Sequence, residues 1–419
     1  SALLRSLVGS EMCIRDRLDG VRVVDFTRVL AGPHCTKALR DLGADVIKIE
    51  PPTPDTGRSG QPHVGPMSLY FAQQNAGKQA LSIDLNFPEA QEIVKKLVEG
   101  ADIVVENFRP GTLDLFGLGF NDLRAVKPDL IMVSISGYGQ SGPWRNRPAF
   151  APTVQAEAGF TEIIGRHYGD ALTRTENDAY NHADVYTGLQ GVIATLAALN
   201  HRNRTGEGQH VDVAMVASML SVNDRVSYEL SDIDVEGEPL ALSAPESPVI
   251  ELPDGQKITI AASPVSTFVF QRYCAMMRRN DLLIDPRFIT AQFRRDNWDE
   301  LLREIRAWVL TFRTIEELEA QVSEAGLAVG TIRTVSEIAE SEWASERGAI
   351  REVDDRSGGI ARLPAPPWIF GGCDLPDAGL PPFQGEHNRE ILTALGLSDA
   401  DIADLEAAGM LISAVPETP

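Results

Sequence analysis

Strands that alternate with helices constrain the fold of this chain more than any other feature of its sequence. Residues 21–26 form a short apolar run, which predicts a buried strand. Gly32 and Pro33 then favour the start of a helix that ends at Gly43, and residues 45–50 predict a second strand. Two strands joined by a helix within about 30 residues form a βαβ unit, so they are expected to lie parallel in one sheet.

The same pattern recurs further along the chain. Asn86 and Glu89 have the spacing of a capping box, which predicts a helix that ends at Gly100. Further strands are predicted at residues 102–106, 130–136 and 210–215. A long helix is predicted over residues 179–202, with an apolar stripe formed by Val185, Leu189, Val192, Leu196 and Leu199.

The predicted fold class is therefore α/β, with an open, doubly wound, Rossmann-like sheet. Ligands of such sheets bind beyond the carboxyl ends of the strands. A site is accordingly expected in the loops at residues 27–33, 106–111 and 137–143.

The length of 419 residues suits two domains. Residues 1–17 lack the apolar core and cleavage site of a signal peptide and are expected to be a disordered leader or a non-native scar. Residues 18–227 are predicted to form a large α/β domain, and residues 228–335 a smaller α+β domain after an acidic, Pro-rich stretch. Residues 336–419 are predicted to be a C-terminal helical segment.

Charge and cysteine usage exclude several classes of protein. The net charge of −22 argues against nucleic acid or an anionic membrane as the main partner. No apolar run approaches the ~18 residues of a membrane span. The four cysteines are scattered and are typical of free thiols in a reducing compartment, so a cytoplasmic protein without a metal site is expected.

A glycine pattern after the strand at residues 130–136 resembles a dinucleotide motif. Gly137 to Gly142 reads GxGxxG, but a dinucleotide site needs a helix to start there, and Pro143 follows at once. Binding of a nicotinamide cofactor is therefore not expected.

The segment at residues 106–111 offers groups that suit a nucleotide. Asn107 can form a hydrogen bond with an amide or phosphate, Phe108 can stack on a flat ring, and Arg109 can form a bidentate hydrogen bond with phosphate. The same residue types form plain turns. Lys78, close to Asn75, adds a cation that either faces the same crevice or is a solvated loop lysine.

Asp184 lies at the start of the long predicted helix, where the helix dipole favours an ionised carboxylate. Gly188 and Gly191 follow on the same face. They either let a bulky group approach the carboxylate or let another helix pack closely. His182 lies beside Asp184, but without a GxSxG elbow it does not indicate a Ser-His-Asp triad.

In order along the chain, these segments resemble the class III CoA-transferase family of CaiB/BaiF type, which includes formyl-CoA:oxalate and carnitine CoA-transferases. The resemblance covers residues 18 to about 407. Its landmarks are LDGVRVVDFTRVLAGPHC, NAGKQALSIDL, ADIVVENFRPG, SISGYGQSGP, HADVYTGLQG, RTGEGQHVDVAM and GEHNREIL.

The resemblance implies a CoA thioester and a carboxylic acid as substrates, with no permanently bound cofactor. It implies that Asp184 is the nucleophile, and an interlocked homodimer in which residues 336–419 return to the large domain. The residues expected to contact CoA are Val29, Leu30, Ala31, Asn75, Lys78, Asn107, Phe108, Arg109, Gly137, Tyr138 and Gly139.

The chain departs from the family pattern in three places. Pro51 and Ser136 stand where some members carry basic residues, and residues 230–265 contain no counterpart of the glycine-rich loop that covers some active sites. Arg166, His167 and Arg174 are candidates for shaping the acyl pocket.

The predicted chemistry needs only an ionised aspartate. An ordinary Asp has a pKa near ~3.9, so Asp184 attacks an acyl-CoA without a general base, giving an anhydride and then an aspartyl-CoA thioester. N–H groups of residues 137–142 are expected to stabilise the oxyanion.

Two alternative functions stay open. One is an α-methylacyl-CoA racemase, which needs an acid/base pair, and the other is an inactive CoA-binding homologue. Racemases of this type typically carry a His in a GHD-like stretch after the glycine loop. The corresponding residues 147–152 contain no His or Asp, which favours the transferase.

Overall fold

A computed structural model describes residues 17–168, 180–224, 226–231, 246–372 and 375–416. Its largest element is a sheet of six parallel strands in the order β5-β2-β1-β6-β7-β8. These strands are β1 (Arg22–Asp25), β2 (Asp45–Glu50), β5 (Gln79–Ser82), β6 (Ile103–Glu106), β7 (Ile131–Ser136) and β8 (His210–Ala214). Two short strands, β3 (His63–Val64) and β4 (Met67–Ser68), pair with each other.

The strand order reverses its direction between β1 and β6. The chain moves outward from β1 through β2 to β5, and then outward on the other side from β6 through β7 to β8. In open parallel sheets such a reversal leaves a crevice beyond the carboxyl ends of the two central strands. The loops after Asp25 and after Glu106 therefore lie where a ligand is expected. The parallel sheet confirms the predicted α/β class.

Helices cover both faces of this sheet. Val23 and Val105 are buried in one apolar layer, whereas Val24 and Val104 are buried in the opposite layer. Because both faces are covered, the strands are continuous apolar runs and not alternating patterns. The described helices before residue 224 are α1 (Ala31–Asp41), α2 (Leu69–Asn75), α3 (Pro88–Glu99), α4 (Phe120–Val126), α5 (Ala151–Glu157), α6 (Phe160–Tyr168), α7 (His182–Thr205) and α8 (Met215–Val222).

The long helix α7 packs through small residues, and the predicted apolar stripe is wrong in part. Its buried residues are Ala183, Thr187, Gly188, Gly191, Val192, Thr195, Ala198 and Leu199, whereas Leu189 is 41% exposed. A Cβ at Gly191 would lie 3.1 Å from Cys35 Sγ, and one at Gly188 would lie 2.8 Å from the Ala31 carbonyl oxygen. The two glycines thus let α7 approach α1 closely, which decides between the two interpretations of their spacing.

The predicted capping box at Asn86 is also wrong. Helix α3 begins after Phe87, which provides no side-chain cap, and Pro88 occupies the first turn. The Asn86 amide instead donates to the Asp84 carboxylate, with a separation of 2.7 Å between Nδ2 and Oδ1. The Phe87 side chain has no hydrogen-bond acceptor, so this helix starts without a side-chain cap, and Pro88 is tolerated in its first turn because no helical bond needs its N–H there.

Chain contacts divide the described residues into two compact units. One unit combines the chain up to Asp224 with the chain from Ala344 onward. Its C-terminal part is fixed to the sheet edge, because Asn388 Oδ1 accepts the Ser82 N–H at 2.8 Å and Leu411 bridges to Ile83. Its later elements are β12 (Ile350–Asp354), β13 (Ile360–Pro364), α15 (Glu342–Arg347, across the unit boundary), α16 (Asn388–Ala394) and α17 (Asp399–Ala407).

The other unit extends to Trp343 and has a core of its own around Tyr273 and Phe288. A three-stranded antiparallel sheet in the order β11-β10-β9 lies at its centre. Its elements are α9 (Val226–Ser231), β9 (Val249–Glu251), β10 (Lys257–Ile260), α10 (Thr267–Met277), α11 (Ala291–Asp296), α12 (Trp298–Val309), α13 (Ile315–Glu324), β11 (Val329–Thr331) and α14 (Val335–Ala339). The domain boundaries predicted at residues 227 and 335 stay a prediction. None of the helices within the described ranges is long and apolar enough to cross a membrane.

Candidate active site

A cavity of about 630 Å³ lies beyond the carboxyl ends of β1, β6 and β7, where the strand order predicts a ligand. The loops after these strands and the first turn of α7 form its walls. The lining residues are Arg28, Val29, Ala31, Thr56, Asn107, Phe108, Arg109, Pro110, Ile135, Ser136, Gly137, Arg145, Arg147, Pro148, Ala149, Phe150, Ala151, Pro152, Asn181, Asp184 and Met215.

Asp184 is placed in the first turn of α7 and faces this cavity. Burial raises the pKa of its carboxyl to about 6, and a hydrogen bond from the Ala31 backbone partly opposes the rise. The expectation of an ordinary aspartate pKa is therefore wrong for this structure. The carboxylate is still mostly ionised at neutral pH, and it is less well solvated than an exposed one.

The charge of Asp184 also acts on Tyr70 of α2, an effect that the sequence does not reveal. Burial and then the charge of Asp184 raise the pKa of Tyr70 to about 12, so its hydroxyl keeps its proton at any physiological pH.

The loop between β1 and α1 is held by side chains from other elements. Asn107 binds the Arg28 backbone with both ends of its amide, through Oδ1 at 2.8 Å from N and Nδ2 at 2.9 Å from the carbonyl oxygen. Glu106 Oε2 accepts the Phe108 N–H at 2.8 Å, and burial raises the pKa of Glu106 to about 7. Asn107 thus lines the cavity, but its amide is occupied by the protein itself.

Lys78 and Asn75 lie away from the cavity, so the structure does not bring them together with the other predicted contacts. The Lys78 ammonium is fully buried and donates to Asp25 Oδ2 at 3.0 Å, Thr36 Oγ1 at 2.7 Å and Asn75 Oδ1 at 2.9 Å. Burial lowers the pKa of Lys78 to about 8, and Asp25 opposes the fall. Lys78 is neither a phosphate-facing cation nor a solvated lysine here, because its charge neutralises a buried carboxylate.

The remaining predicted contacts fall into two groups. Gly137 lines the cavity together with Val29, Ala31, Phe108 and Arg109, whereas Leu30, Tyr138 and Gly139 do not. The Gly139 N–H donates to Ser136 Oγ at 3.1 Å and the Gln140 N–H donates to Asp212 at 2.9 Å, so these two amides are occupied. Within residues 137–147 no helix forms, as Pro143 predicts.

Three arginines that sequence reasoning did not assign to the site join Arg109 in the cavity wall: Arg28, Arg145 and Arg147. Arg147 lies 4.7 Å from the centroid of the Trp144 ring and pairs with Glu157. Two arginines directly after a glycine loop at a strand end were a signal that could have indicated them. They give a local positive charge to a protein whose net charge is −22.

The three residues expected to shape the acyl pocket cannot be assigned a position. The side chains of Arg166 and His167, and the whole of Arg174, lie outside the described residues. Across the parts of the chain that the structure describes, no group of three or more His, Cys, Asp or Glu side chains could hold a metal ion.

Comparisons with known proteins agree with this geometry. The chain matches CoA-transferase family III over residues 18–388. Succinyl-CoA–D-citramalate CoA-transferase of Chloroflexus aurantiacus is 35% identical over 414 residues, which span 93% of this chain and 97% of that protein. Succinyl-CoA:mesaconate CoA-transferase of Haloarcula hispanica is 34% identical over 396 residues, which span 91% and 96%.

A crystal structure of a CaiB/BaiF family protein from Brucella suis has the same fold, with a TM-score of 0.75 at 30% identity and coverage of 91% of this chain and 100% of that one. The fold and its crevice thus define a CaiB/BaiF-type protein. The chain belongs to CoA-transferase family III, and it is an enzyme that transfers CoA and uses CoA thioesters as substrates.

Replacing Lys78 by Met tests whether this lysine is structural. The change leaves the buried Asp25 carboxylate without its ion-pair partner, which costs about 3–5 kcal/mol of the free energy of unfolding. Lys95→Met is the matched control: this lysine pairs with the exposed Glu92 at 2.8 Å, and its loss costs less than about 0.5 kcal/mol. Denaturant unfolding measures both. A small loss of stability in Lys78→Met, with weaker binding of CoA, would restore the predicted role in CoA contact.

Proposed function

We propose that the enzyme moves CoA from a dicarboxylic acyl-CoA donor to a dicarboxylic acid, with Asp184 as the covalent nucleophile. The observation that carries the proposal is the place of Asp184 in the cavity. Among the described lining residues it is the one carboxylate, and none of them is a His. A racemase needs two groups that exchange a proton, so this lining favours acyl transfer.

The reaction proceeds through four exchanges at one side chain. The Asp184 carboxylate attacks the donor thioester carbonyl and expels CoA thiolate, which leaves a mixed anhydride. The thiolate then attacks the aspartyl carbonyl, which releases the donor acid and forms an aspartyl-CoA thioester. The acceptor carboxylate attacks that thioester, which expels CoA thiolate and forms a second mixed anhydride. The thiolate then attacks the acceptor carbonyl of this anhydride, which gives the new acyl-CoA and frees the Asp184 carboxylate.

Backbone N–H groups near Asp184 and Gly137 are suited to stabilise, by hydrogen bonds, the oxyanions that form in these steps. The Ala31 N–H already binds the carboxylate, and it lies at the start of α1, where helix N–H groups lack partners of their own. Gly137 lines the cavity. The loop at residues 137–142 contributes fewer free donors than the sequence predicts, because Gly139 and Gln140 donate within the protein.

The arginines support both the CoA and the dicarboxylic part of the proposal. Arg28, Arg109, Arg145 and Arg147 place four guanidinium groups around the cavity. CoA carries anionic phosphates, and guanidinium groups bind phosphate and carboxylate as paired donors. The two curated relatives above are named for succinyl-CoA with citramalate or mesaconate, which are all dicarboxylic acids or their thioesters.

The dimer implied by the family resemblance is also part of the proposal. Leu189 and Ile193 lie one turn apart on α7 and are 41% and 60% exposed, and burial of such residues stabilises a homodimer. Sedimentation equilibrium that gives the monomer mass of 45.6 kDa at micromolar concentration would overturn this part.

Asp184→Ala is expected to lower kcat for CoA transfer by about 10⁴-fold or more, because the covalent route then has no nucleophile. Binding of CoA, measured by calorimetry, should persist. Asp129→Asn, which changes an acid outside the cavity, serves as the control and should turn over normally. Turnover in Asp184→Ala close to that of the control would refute the mechanism.

The pH dependence of kcat/KM for the donor follows from the raised pKa of Asp184. The protonated acid cannot attack, so kcat/KM should fall about tenfold per pH unit below pH 6, and not first near pH 4. Binding of CoA to Asp184→Asn over the same range corrects for ionisation of the CoA phosphates. A profile that stays flat down to pH 4.5 after this correction would contradict the assignment.

A pair of donors tests the dicarboxylic preference. Succinyl-CoA and butyryl-CoA have acyl chains of the same length, and only the first carries a free carboxylate. Loss of a charged partner costs about 2–5 kcal/mol, so kcat/KM should favour succinyl-CoA by about 30-fold or more. Equal values would retain the transferase and reject the substrate class.

A further inference from the structure

Val29 holds a backbone conformation that its side chain disfavours. Its φ is +67°, in the left-handed region, and among the described residues only Arg278 and Arg356 share a positive φ without being glycine. Val29 is the one β-branched residue of the three. Branching at Cβ makes this region costly, so the surrounding structure must hold the residue there.

Asp55 keeps Val29 in this conformation through hydrogen bonds to its backbone N–H. Its carboxylate accepts the Val29 N–H at 3.0 Å through Oδ1 and 3.2 Å through Oδ2, and it also accepts the Gly57 N–H at 2.9 Å. The Lys48 ammonium binds Asp55 Oδ2 at 3.0 Å, and both side chains are fully buried. Burial opposes ionisation of Asp55, but Lys48 holds its pKa below the usual range, so the acceptor is charged at neutral pH.

The residues before Val29 are fixed to the same frame. Lys48 Nζ donates to the Thr27 carbonyl oxygen at 2.6 Å, and Asn107 binds the Arg28 backbone at both its N–H and its carbonyl. Three successive residues are thus held by side chains of other elements. The strain at Val29 is therefore supported by buried contacts and does not relax.

The strained turn directs the chain to Asp184. Ala31 follows Val29 by two residues and begins α1. A Cβ at Gly188 would lie 2.8 Å from the Ala31 carbonyl oxygen, so Ala31 packs directly on α7 one turn after Asp184. Ala31 and Asp184 both line the cavity. A change of φ at Val29 from the left-handed to an ordinary value would rotate the Ala31 amide away.

We propose that Asp55 is a positioning residue for the transfer reaction: by holding Val29 left-handed, it keeps the Ala31 N–H directed at the Asp184 carboxylate. The inference rests on the proposed role of Asp184 as nucleophile. Asp55 does not contact the substrate, so it acts on the nucleophile through the backbone of residues 29–31. Nothing in the sequence pattern alone distinguishes it from an ordinary turn aspartate.

The test compares Asp55→Ala with the double variant Asp55→Ala/Val29→Gly. It measures kcat, KM for succinyl-CoA and the acidic limb of the pH profile, which is the pH below which kcat/KM falls. Asp55→Ala should lose about 10-fold or more in kcat, with a smaller change in KM, because displacement of an aligned group costs mainly the chemical step. Without the Ala31 hydrogen bond, the acidic limb should move above pH 6.

Glycine adopts positive φ freely, so the double variant should recover most of the lost kcat and return the limb towards pH 6. A merely structural role for Asp55 would not move the limb and would gain nothing from a glycine. Recovery supports the inference, whereas a double variant as impaired as Asp55→Ala overturns it.

Asp55→Ala leaves Lys48 buried without its partner, so circular dichroism must show that the variant is folded. If it is not, Val29→Pro decides, since proline removes the N–H and fixes φ near −65° while the Lys48–Asp55 pair stays intact. An unmoved limb in Val29→Pro overturns the inference. A wild-type profile with no limb near pH 6 would instead sink the proposed function itself, so the two failures are distinguishable.

Discussion

The close approach of helix α1 to the first turns of α7 is the contact on which the site depends. Gly188 and Gly191 present no side chain to α1, so the Ala31 amide comes within hydrogen-bond reach of the Asp184 carboxylate. Asp184 itself lies in the first turn of α7, and the start of α1 contributes the Ala31 N–H, so helix N-termini favour its negative charge. The parallel sheet fixes both helices, and it also brings the strand-end loops to the same crevice.

Burial and charge act in opposite directions on the same carboxylate. Burial raises the pKa of Asp184 and makes the ionised form a less stable, more reactive group, whereas the Ala31 hydrogen bond limits that rise. The protein's negative net charge would repel an anionic thioester, and the arginines around the cavity offset that field locally. In the proposed mechanism, reactivity and substrate attraction therefore come from short-range groups, while the net charge of the protein stays negative.

The α/β class, the loops that form the site and the place of Asp184 could all be predicted from the sequence, because strand periodicity and helix starts are local signals. The small-residue face of α7 could not be predicted. The sequence shows which residues of a helix are apolar, but only the neighbouring helix decides whether the apolar or the small residues are buried. Lys78 and Asn75 were misplaced for a similar reason. Whether a lysine neutralises a distant Asp25 or faces a ligand depends on contacts between residues 53 positions apart.

Transfer of an oxygen isotope tests the central claim most directly. The enzyme would turn over succinyl-CoA with an acceptor acid labelled with ¹⁸O in its carboxylates, and the peptide that carries residue 184 would then be weighed by mass spectrometry. Attack by the acceptor on an aspartyl-CoA thioester leaves one acceptor oxygen on Asp184, so the peptide should gain about 2 Da. A peptide that stays unlabelled after many turnovers would show that Asp184 never forms the anhydride.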